Sequence, residues 1–332
     1  MVSRQANWPI LASAASLLTA VAAFAQTAIP PQPKGPATIQ IIPVSLSNEH
    51  VAATVNGEKI VVGEVKKILD QRPYPVTLTE DQKKQLRHAA LDVLVEDVLM
   101  RQYLAKHVPQ VSQADLNKEI QKLTDALKKE MKTIEMFLKE NSQTEDQLRR
   151  DMIAKLQWNA LLQRFCPDDQ AKVYYDANKL FFDKVFVRAR HILIKLDPKA
   201  TKEQRDKAMQ QMLVWRQEIL AGKVKFEDVA KKYSDCPSRD KGGDIGQFPY
   251  KFVVVPEFAK AAFAIKKGEI SNVVQTAFGL HLILVTERTP GELSNFDALK
   301  DTVREVWAQD EELYTRILAD QRKTGSIKVE MP

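Results

Sequence analysis

The stretch Arg188-Ala-Arg-His-Ile-Leu-Ile194 begins a series of six short motifs that decides the fold of this chain. The others are, in order, Phe226-Glu-Asp-Val-Ala-Lys-Lys-Tyr-Ser-Asp-Cys236, Gly242-Gly-Asp-Ile-Gly-Gln-Phe248, Val254-Val-Pro-Glu-Phe258, Gly268-Glu-Ile-Ser271 and Thr276-Ala-Phe-Gly-Leu-His-Leu-Ile283. The first and last motifs contain apolar runs typical of strands. Thr201-Lys-Glu-Gln204 is a capping box, which predicts the start of a helix. The pattern predicts an α+β fold in which helices pack on a small sheet.

The six motifs in this order resemble the parvulin family of peptidyl-prolyl cis/trans isomerases. The resemblance covers residues 186–289, and it implies rotation of X-Pro bonds without a covalent step and without a cofactor. Such enzymes matter because the amide barrier is about 18–20 kcal/mol, so X-Pro isomerisation can limit folding.

The resemblance also implies a set of catalytic residues. His191 and His281 match the paired core histidines, on adjacent strands, and Thr276 would brace them by hydrogen bonding. Cys236 stands where the family carries either Cys or Asp, which favours a polar group near the substrate carbonyl over an obligatory nucleophile. The alternative reading of the histidines as buried, satisfied side chains is compatible with a role in shaping the site. A small buried thiol is the alternative for Cys236.

An apolar proline pocket is implied at Ile245, Val254 and Phe258, with Phe278 alongside. Each of these residues could instead belong to ordinary core. The family often has Met at the position of Val254, and the segment from Phe248 to Phe258 is one residue longer than usual. The loop 195–199 has no paired arginines, so selectivity for phosphorylated substrates is not expected.

Three other functions fit some of the same residues. A cysteine protease would use Cys236 with a histidine, but it would leave the glycines and the Val-Pro-Glu-Phe segment unexplained. A zinc site from His191, His281 and Cys236 has no known close-ligand spacing. A holdase whose parvulin domain only binds peptide is the alternative from a different class.

Cys166 and Cys236 are the only cysteines, and both are expected to be free thiols.

The N-terminal segment has the pattern of a secretory signal. Residues 1–25 carry one charge, Arg4, an apolar stretch and the small-residue pattern Ala23-Phe-Ala25. An uncleaved anchor is the alternative. Residues 26–48 are Pro-rich and predict a linker. We therefore expect an extracytoplasmic protein of the periplasm or cell envelope, whose partners are unfolded exported proteins with X-Pro bonds. The formal net charge is +6, without the aromatic-interleaved basic patch that would indicate nucleic acid.

The remaining chain predicts a helical domain that surrounds the parvulin segment. Residues 49–185 begin with a hairpin at Asn56-Gly57, which suits a type I′ turn, and continue with helices near 80–106, 112–139 and 145–164. A helix over 296–322 and a strand at 327–329 leave an apolar face that needs a partner. We expect residues 290–332 to pack on the 49–185 domain. This layout is similar to the SurA and PrsA type of extracytoplasmic foldase, in which a parvulin domain is inserted in a helical chaperone domain.

Overall fold

The computed structural model describes residues 41–43, 46–70, 74, 78–141 and 143–332. They form two compact units. The first comprises the described residues up to Ala171 together with Asp301–Pro332, and the second comprises Lys172–Lys300. Because the second unit lies between two segments of the first, and both combine helices with a small antiparallel sheet, the predicted α+β class with an inserted domain is confirmed. The predicted signal and most of the predicted linker lie outside the described residues.

The first unit consists mainly of helices. Its first part contains strands β1 (Val51–Val55) and β2 (Glu58–Val61), and helices α1 (Val62–Asp70), α2 (Glu80–His107), α3 (Gln113–Lys129), α4 (Ile134–Glu140) and α5 (Glu145–Phe165). Its C-terminal part contains α11 (Phe296–Asp310), which begins in the second unit, α12 (Leu313–Thr324) and β7 (Ile327–Val329). No helix among the described residues is long and apolar enough to span a membrane.

Local sequence signals account for the ends of these elements. Thr79 and Thr144 each close a capping box with the Gln three residues later, and so begin α2 and α5. Asn56 (φ 49°) and Gly57 (φ 89°) turn β1 into β2 in the left-handed region that a type I′ turn requires.

Two predicted helices are each divided in the structure. The helix predicted over 112–139 breaks at Met131, which has a φ of 57°, and restarts where Thr133 caps α4. The helix predicted over 296–322 breaks at Glu312, whose φ is 51°. Neither break has a Gly or Pro, so periodicity alone could not place it.

The C-terminal segment contributes to the core of the first unit. β7 pairs antiparallel with β1, so the sheet order is β2-β1-β7. Leu313, Ile317 and Leu318 of α12 are buried in the same cluster as Leu99 and Leu161. A helix face of this kind needs an apolar partner, and the helices before residue 171 supply it.

The second unit is built on a four-stranded antiparallel sheet in the order β4-β3-β6-β5. Its strands are β3 (Phe186–Lys195), β4 (Asp244–Pro249), β5 (Val274–Thr276) and β6 (Gly279–Thr289), and its helices are α6 (Asp168–Ala177, which starts in the first unit), α7 (Lys179–Phe182), α8 (Lys202–Leu220), α9 (Phe226–Tyr233) and α10 (Pro256–Ala264). Alternation along the strands separates two cores. Ile192 and Leu282 face α8 and α9, whereas Val187 and Ile283 face α10.

The boundaries of the compact units differ from the predicted 185/186 and 289/290. Tyr175 stacks on Phe182 with 5.3 Å between ring centroids and lies 5.5 Å from the ring of Phe296. Its hydroxyl donates to the Ser294 carbonyl at 2.8 Å. These contacts attach 172–185 and 290–300 to the second unit.

Candidate functional site

The two predicted histidines lie side by side in the centre of the sheet. His191 on β3 and His281 on β6 are two residues apart in register, because His191 pairs with Ile283 and His281 with Leu193. Both side chains therefore point to the α10 face. Their rings stack at 5.4 Å between centroids, and their Nδ1 atoms are 3.2 Å apart, so one Nδ1–H donates to the other nitrogen.

Thr276 extends this pair into a hydrogen-bonded chain. Its Oγ1 lies 2.8 Å from His281 Nε2 and accepts from the Phe278 amide at 3.1 Å. Two tautomer assignments satisfy the chain, depending on whether the hydroxyl donates to or accepts from Nε2. In both, the terminal atom is His191 Nε2, which is buried and has no hydrogen-bond partner among the described residues.

Phe258 packs against the face of the sheet on which the two histidines lie. It is the third residue of α10, and its ring meets both imidazoles edge to face at 5.5 Å. It is buried, and Ile245 and Val254 pack partly buried against the same cluster. The structure thus joins His191, His281, Thr276 and Phe258 through direct contacts and packs Ile245 and Val254 against the cluster that contains Phe258.

Cys236 and Phe278 are less buried than the two histidines. Cys236 is half-buried and precedes the short 3₁₀ turn Pro237–Lys241. Phe278 is 58% exposed, although its amide donates a hydrogen bond to Thr276 Oγ1. Cys166 is buried in the first unit, and neither thiol forms a disulfide. No group of three or more potential metal ligands occurs among the described residues.

Three positions that the sequence analysis did not assign to the site hold it in place. Ser234 Oγ accepts from the Leu193 and Cys236 amides, and the Asp235 amide donates to the Leu193 carbonyl at 2.8 Å. This turn therefore runs along β3 beside His191. Ser271 exchanges backbone and side-chain hydrogen bonds with Ile283 and supports β6. One indication of these roles was present in the sequence: Ser234, Asp235 and Ser271 all lie within the six motifs quoted above.

Burial keeps both histidines neutral. Desolvation lowers the pKa of His191 to about 4, and desolvation together with the neighbouring His191 lowers the pKa of His281 to about 4. A neutral imidazole can donate one hydrogen bond and accept another, as the chain to Thr276 requires. The pair is therefore suited to shaping an apolar site at neutral pH.

We expect the isomerase activity that the family resemblance implies to be flat with pH across the usual histidine range. Because the folded pKa values of about 4 lie below the reference value of 6.5, the histidines stay neutral and kcat/KM should not change between about pH 5.5 and pH 8. The free energy of unfolding should be highest above pH 6.5 and fall as the pH drops towards 4, since the unfolded histidines take up protons first. A pH–rate profile checks this; an inflection near 6.5 would indicate proton transfer by a histidine.

Gly243 allows the backbone to approach His191 closely. It has a φ of 80°, its carbonyl accepts from the His191 amide at 2.9 Å, and an added Cβ would lie 2.4 Å from the His191 carbonyl oxygen. No larger residue fits this position without moving β3 or the turn.

We expect Gly243→Ala to lower both stability and kcat/KM, because the added methyl group displaces the strand that carries His191. Gly246→Ala is the matched control: Gly246 has a φ of 78°, but an added Cβ would meet nothing within 4 Å. Both variants carry the backbone cost of about 1–2 kcal/mol for a left-handed L-residue, and only Gly243→Ala adds the clash. Thermal melts and peptide kinetics compare the two; equal losses in both variants would contradict the steric account.

Comparison with known proteins identifies relatives over most of the chain. Residues 191–287 match the family model of the PPIC-type PPIase domain, and residues 15–162 match that of the SurA-like N-terminal domain. The foldase protein PrsA of Caldanaerobacter subterraneus subsp. tengcongensis is 31% identical over 276 residues, which cover 78% of this chain and 80% of the relative. The foldase protein PrsA of Clostridium botulinum (strain Loch Maree) is 28% identical over 310 residues, which cover 83% and 87%. A crystal structure of peptidylprolyl isomerase PrsA from Bacillus anthracis is similar with 24% identity and a TM-score of 0.37, covering 70% of this chain and 96% of that one.

Proposed function

Since this chain belongs to the PrsA family of foldase proteins, we propose that the α10 face of its second unit is the site where X-Pro bonds are isomerised. The protein is a peptidyl-prolyl cis/trans isomerase and folding chaperone. The observation that carries the site assignment is the contact of Phe258 with both neutral histidines. It places an apolar wall next to a short chain of fixed hydrogen-bonding groups.

In the proposed mechanism, the proline ring of the client binds against Phe258, Ile245 and Val254. Rotation about the C–N bond removes amide resonance, so the transition state is less polar than the planar amide. A water-poor pocket therefore favours the twisted state over the ground state. Thr276 and His281 hold the tautomer and orientation of His191. His191 Nε2 is the last atom of this series of hydrogen bonds and has no partner among the described residues, so it can form one further hydrogen bond.

Cys236 is proposed to present a polar group to the substrate carbonyl, and Phe278 to contact a residue beside the proline. The turn that Ser234 holds against β3 fixes the backbone of Cys236. The exposed ring of Phe278 next to Thr276 is available to an extended peptide. Neither role requires a covalent bond to the client.

We expect Cys236→Asp to retain substantial kcat/KM and Cys236→Ala to lose more. A carboxylate keeps a polar group near the substrate carbonyl, whereas a methyl group removes it. Peptide kinetics on the two variants and on wild type measure the difference. An Asp variant as inactive as His191→Leu would restore a thiol-specific mechanism.

The clients are proposed to be unfolded exported proteins. The protein would bind them outside the cytoplasm, in the periplasm or cell envelope. The family of the chain and the signal-like pattern of residues 1–25 support this proposal. In that setting the first unit would shield exposed apolar segments while the second unit acts on their prolines.

A refolding experiment tests the proposed function against a non-catalytic holdase. The substrate is a protein whose slow refolding phase is limited by an X-Pro bond, and the full chain is added in catalytic amounts. We expect the slow phase to accelerate and aggregation to fall. Reduced aggregation with an unchanged slow phase would leave only the holdase.

A further inference from the structure

The loop between β4 and α10, residues 250–255, contains a strained aromatic residue. Phe252 has a φ of 70°, a region that L-residues with a Cβ rarely adopt, and the residue is 47% exposed. A backbone in this conformation persists when surrounding contacts hold it. The contacts of Phe252 therefore show what fixes the loop.

One of these contacts comes from the helices that precede β3, and the same helices also contact the neighbouring Lys251. The ring of Phe181, on α7, meets the ring of Phe252 edge to face, with 5.6 Å between centroids and an angle of 88°. Lys251 Nζ lies 5.3 Å from the ring centroid of Tyr174, on α6, and 5.9 Å from that of Phe252. We name Tyr174, Phe181 and Phe252 the aromatic clamp.

The helices that supply the clamp are themselves fixed to the second unit. Phe182, next to Phe181, is buried and stacks on Tyr175, and Tyr174 meets it edge to face at 6.4 Å. The clamp therefore joins an anchored helix pair to a loop that carries little buried surface of its own.

The same loop borders the proposed proline pocket. Val254 lies two residues after Phe252 and packs against the cluster that contains Phe258. At the start of the loop Tyr250 meets Phe263 edge to face at 5.2 Å, and at its end Val255 is the N-cap of α10. The clamp holds the middle of the loop at Phe252, and Val254 lies between this point and the N-cap of α10.

We propose that the aromatic clamp positions Val254 and thereby sets the affinity of the proline pocket for its substrate. Tyr174 and Phe181 precede the segment 191–287 that matches the isomerase family model, so the functional isomerase extends to α6 and α7. Phe181 and Phe252 are positioning residues that act through Val254. This inference rests on the proposed function of the α10 face.

The test measures KM and kcat separately in the full chain, by peptide exchange spectroscopy over a range of peptide concentrations. Phe181→Ala and Phe252→Ala should each raise KM by about three- to tenfold, the equivalent of losing one aromatic pair, with kcat within about twofold of wild type. The double variant should be no worse than either single variant, because both remove the same contact. Phe181→Tyr should restore a KM near wild type, and Leu213→Ala, an exposed apolar residue of α8, is the control.

Phe252→Gly separates the ring contact from the backbone conformation. Glycine adopts a φ of 70° without strain but has no ring, so this variant should show the same rise in KM as Phe252→Ala. A wild-type KM in Phe252→Gly or in Phe181→Ala would overturn the clamp, as would additive effects in the double variant. A full chain without any isomerase activity would overturn the proposed function and the clamp together, whereas an active chain with unchanged variants overturns the clamp alone.

Discussion

Removal of Asp301–Pro332 is expected to unfold the first unit and to leave the second unit folded. The segment contributes Leu313, Ile317, Leu318 and Met331 to the buried core, and β7 pairs with β1. Burial of each such side chain contributes about 1.5–3 kcal/mol, so the four together are comparable with the whole stability of a domain, about 5–15 kcal/mol. Hydrogen exchange measures both units at once: protection should disappear from α2 and α5 and persist in β3 and β6.

Point variants give this expectation a matched control. Leu318→Ala should cost about 2–5 kcal/mol because the side chain is buried. Lys323→Ala, on the same helix with a side chain 75% exposed, should stay within about 0.5 kcal/mol of wild type. Continued protection of α2 and α5 in the truncated chain would show that the C-terminal segment is dispensable for the first unit.

Phe258→Ala is expected to lower kcat/KM by about 100-fold, which corresponds to about 3 kcal/mol of lost contact with the bound proline. Phe263→Ala is the matched control. Phe263 lies on the same helix, is buried in the same cluster and packs on Phe248 and Tyr250. Both variants should lose about 3–5 kcal/mol of stability, but only Phe258 touches the histidines.

Kinetics measured well below the melting temperature separate the two roles of Phe258. Under those conditions both variants are folded, and Phe263→Ala should lower kcat/KM by at most about tenfold, the equivalent of losing its ring pair with Tyr250 at the start of the 250–255 loop. Equal losses of kcat/KM in the two variants would mean that Phe258 acts only through the core.

The sequence predicts those parts of the fold that depend on local interactions. The capping boxes at Thr79, Thr144 and Thr201 each begin a helix with the expected reciprocal hydrogen bonds. Asn56-Gly57 forms the expected turn. The breaks at Met131 and Glu312 were not predicted, because both residues take a left-handed φ although neither is a Gly or Asn, the residues that signal it.

In the candidate site too, the sequence predicts what depends on local patterns and motifs, and it does not predict long-range contacts. The period of the strands places His191 and His281 on one face, and the family motifs supply Thr276 and Phe258. Ser234 supports the site through a contact with Leu193, which lies 41 positions earlier in the chain. The clamp depends on the contact of Phe252 with Phe181, which lies 71 positions earlier. Such contacts leave no periodic pattern. The roles of the eight predicted site residues stay predictions, and the variants described above test some of them.

The most direct measurement of the central claim is NMR exchange spectroscopy on a short peptide with one X-Pro bond, with the full chain added in catalytic amounts. Wild type should accelerate exchange between the cis and trans resonances, equally at about pH 6 and pH 8, and Phe258→Ala should nearly abolish the acceleration. An exchange rate with wild type that equals the rate of the peptide alone, or one that Phe258→Ala leaves unchanged, would contradict an isomerase site on the α10 face.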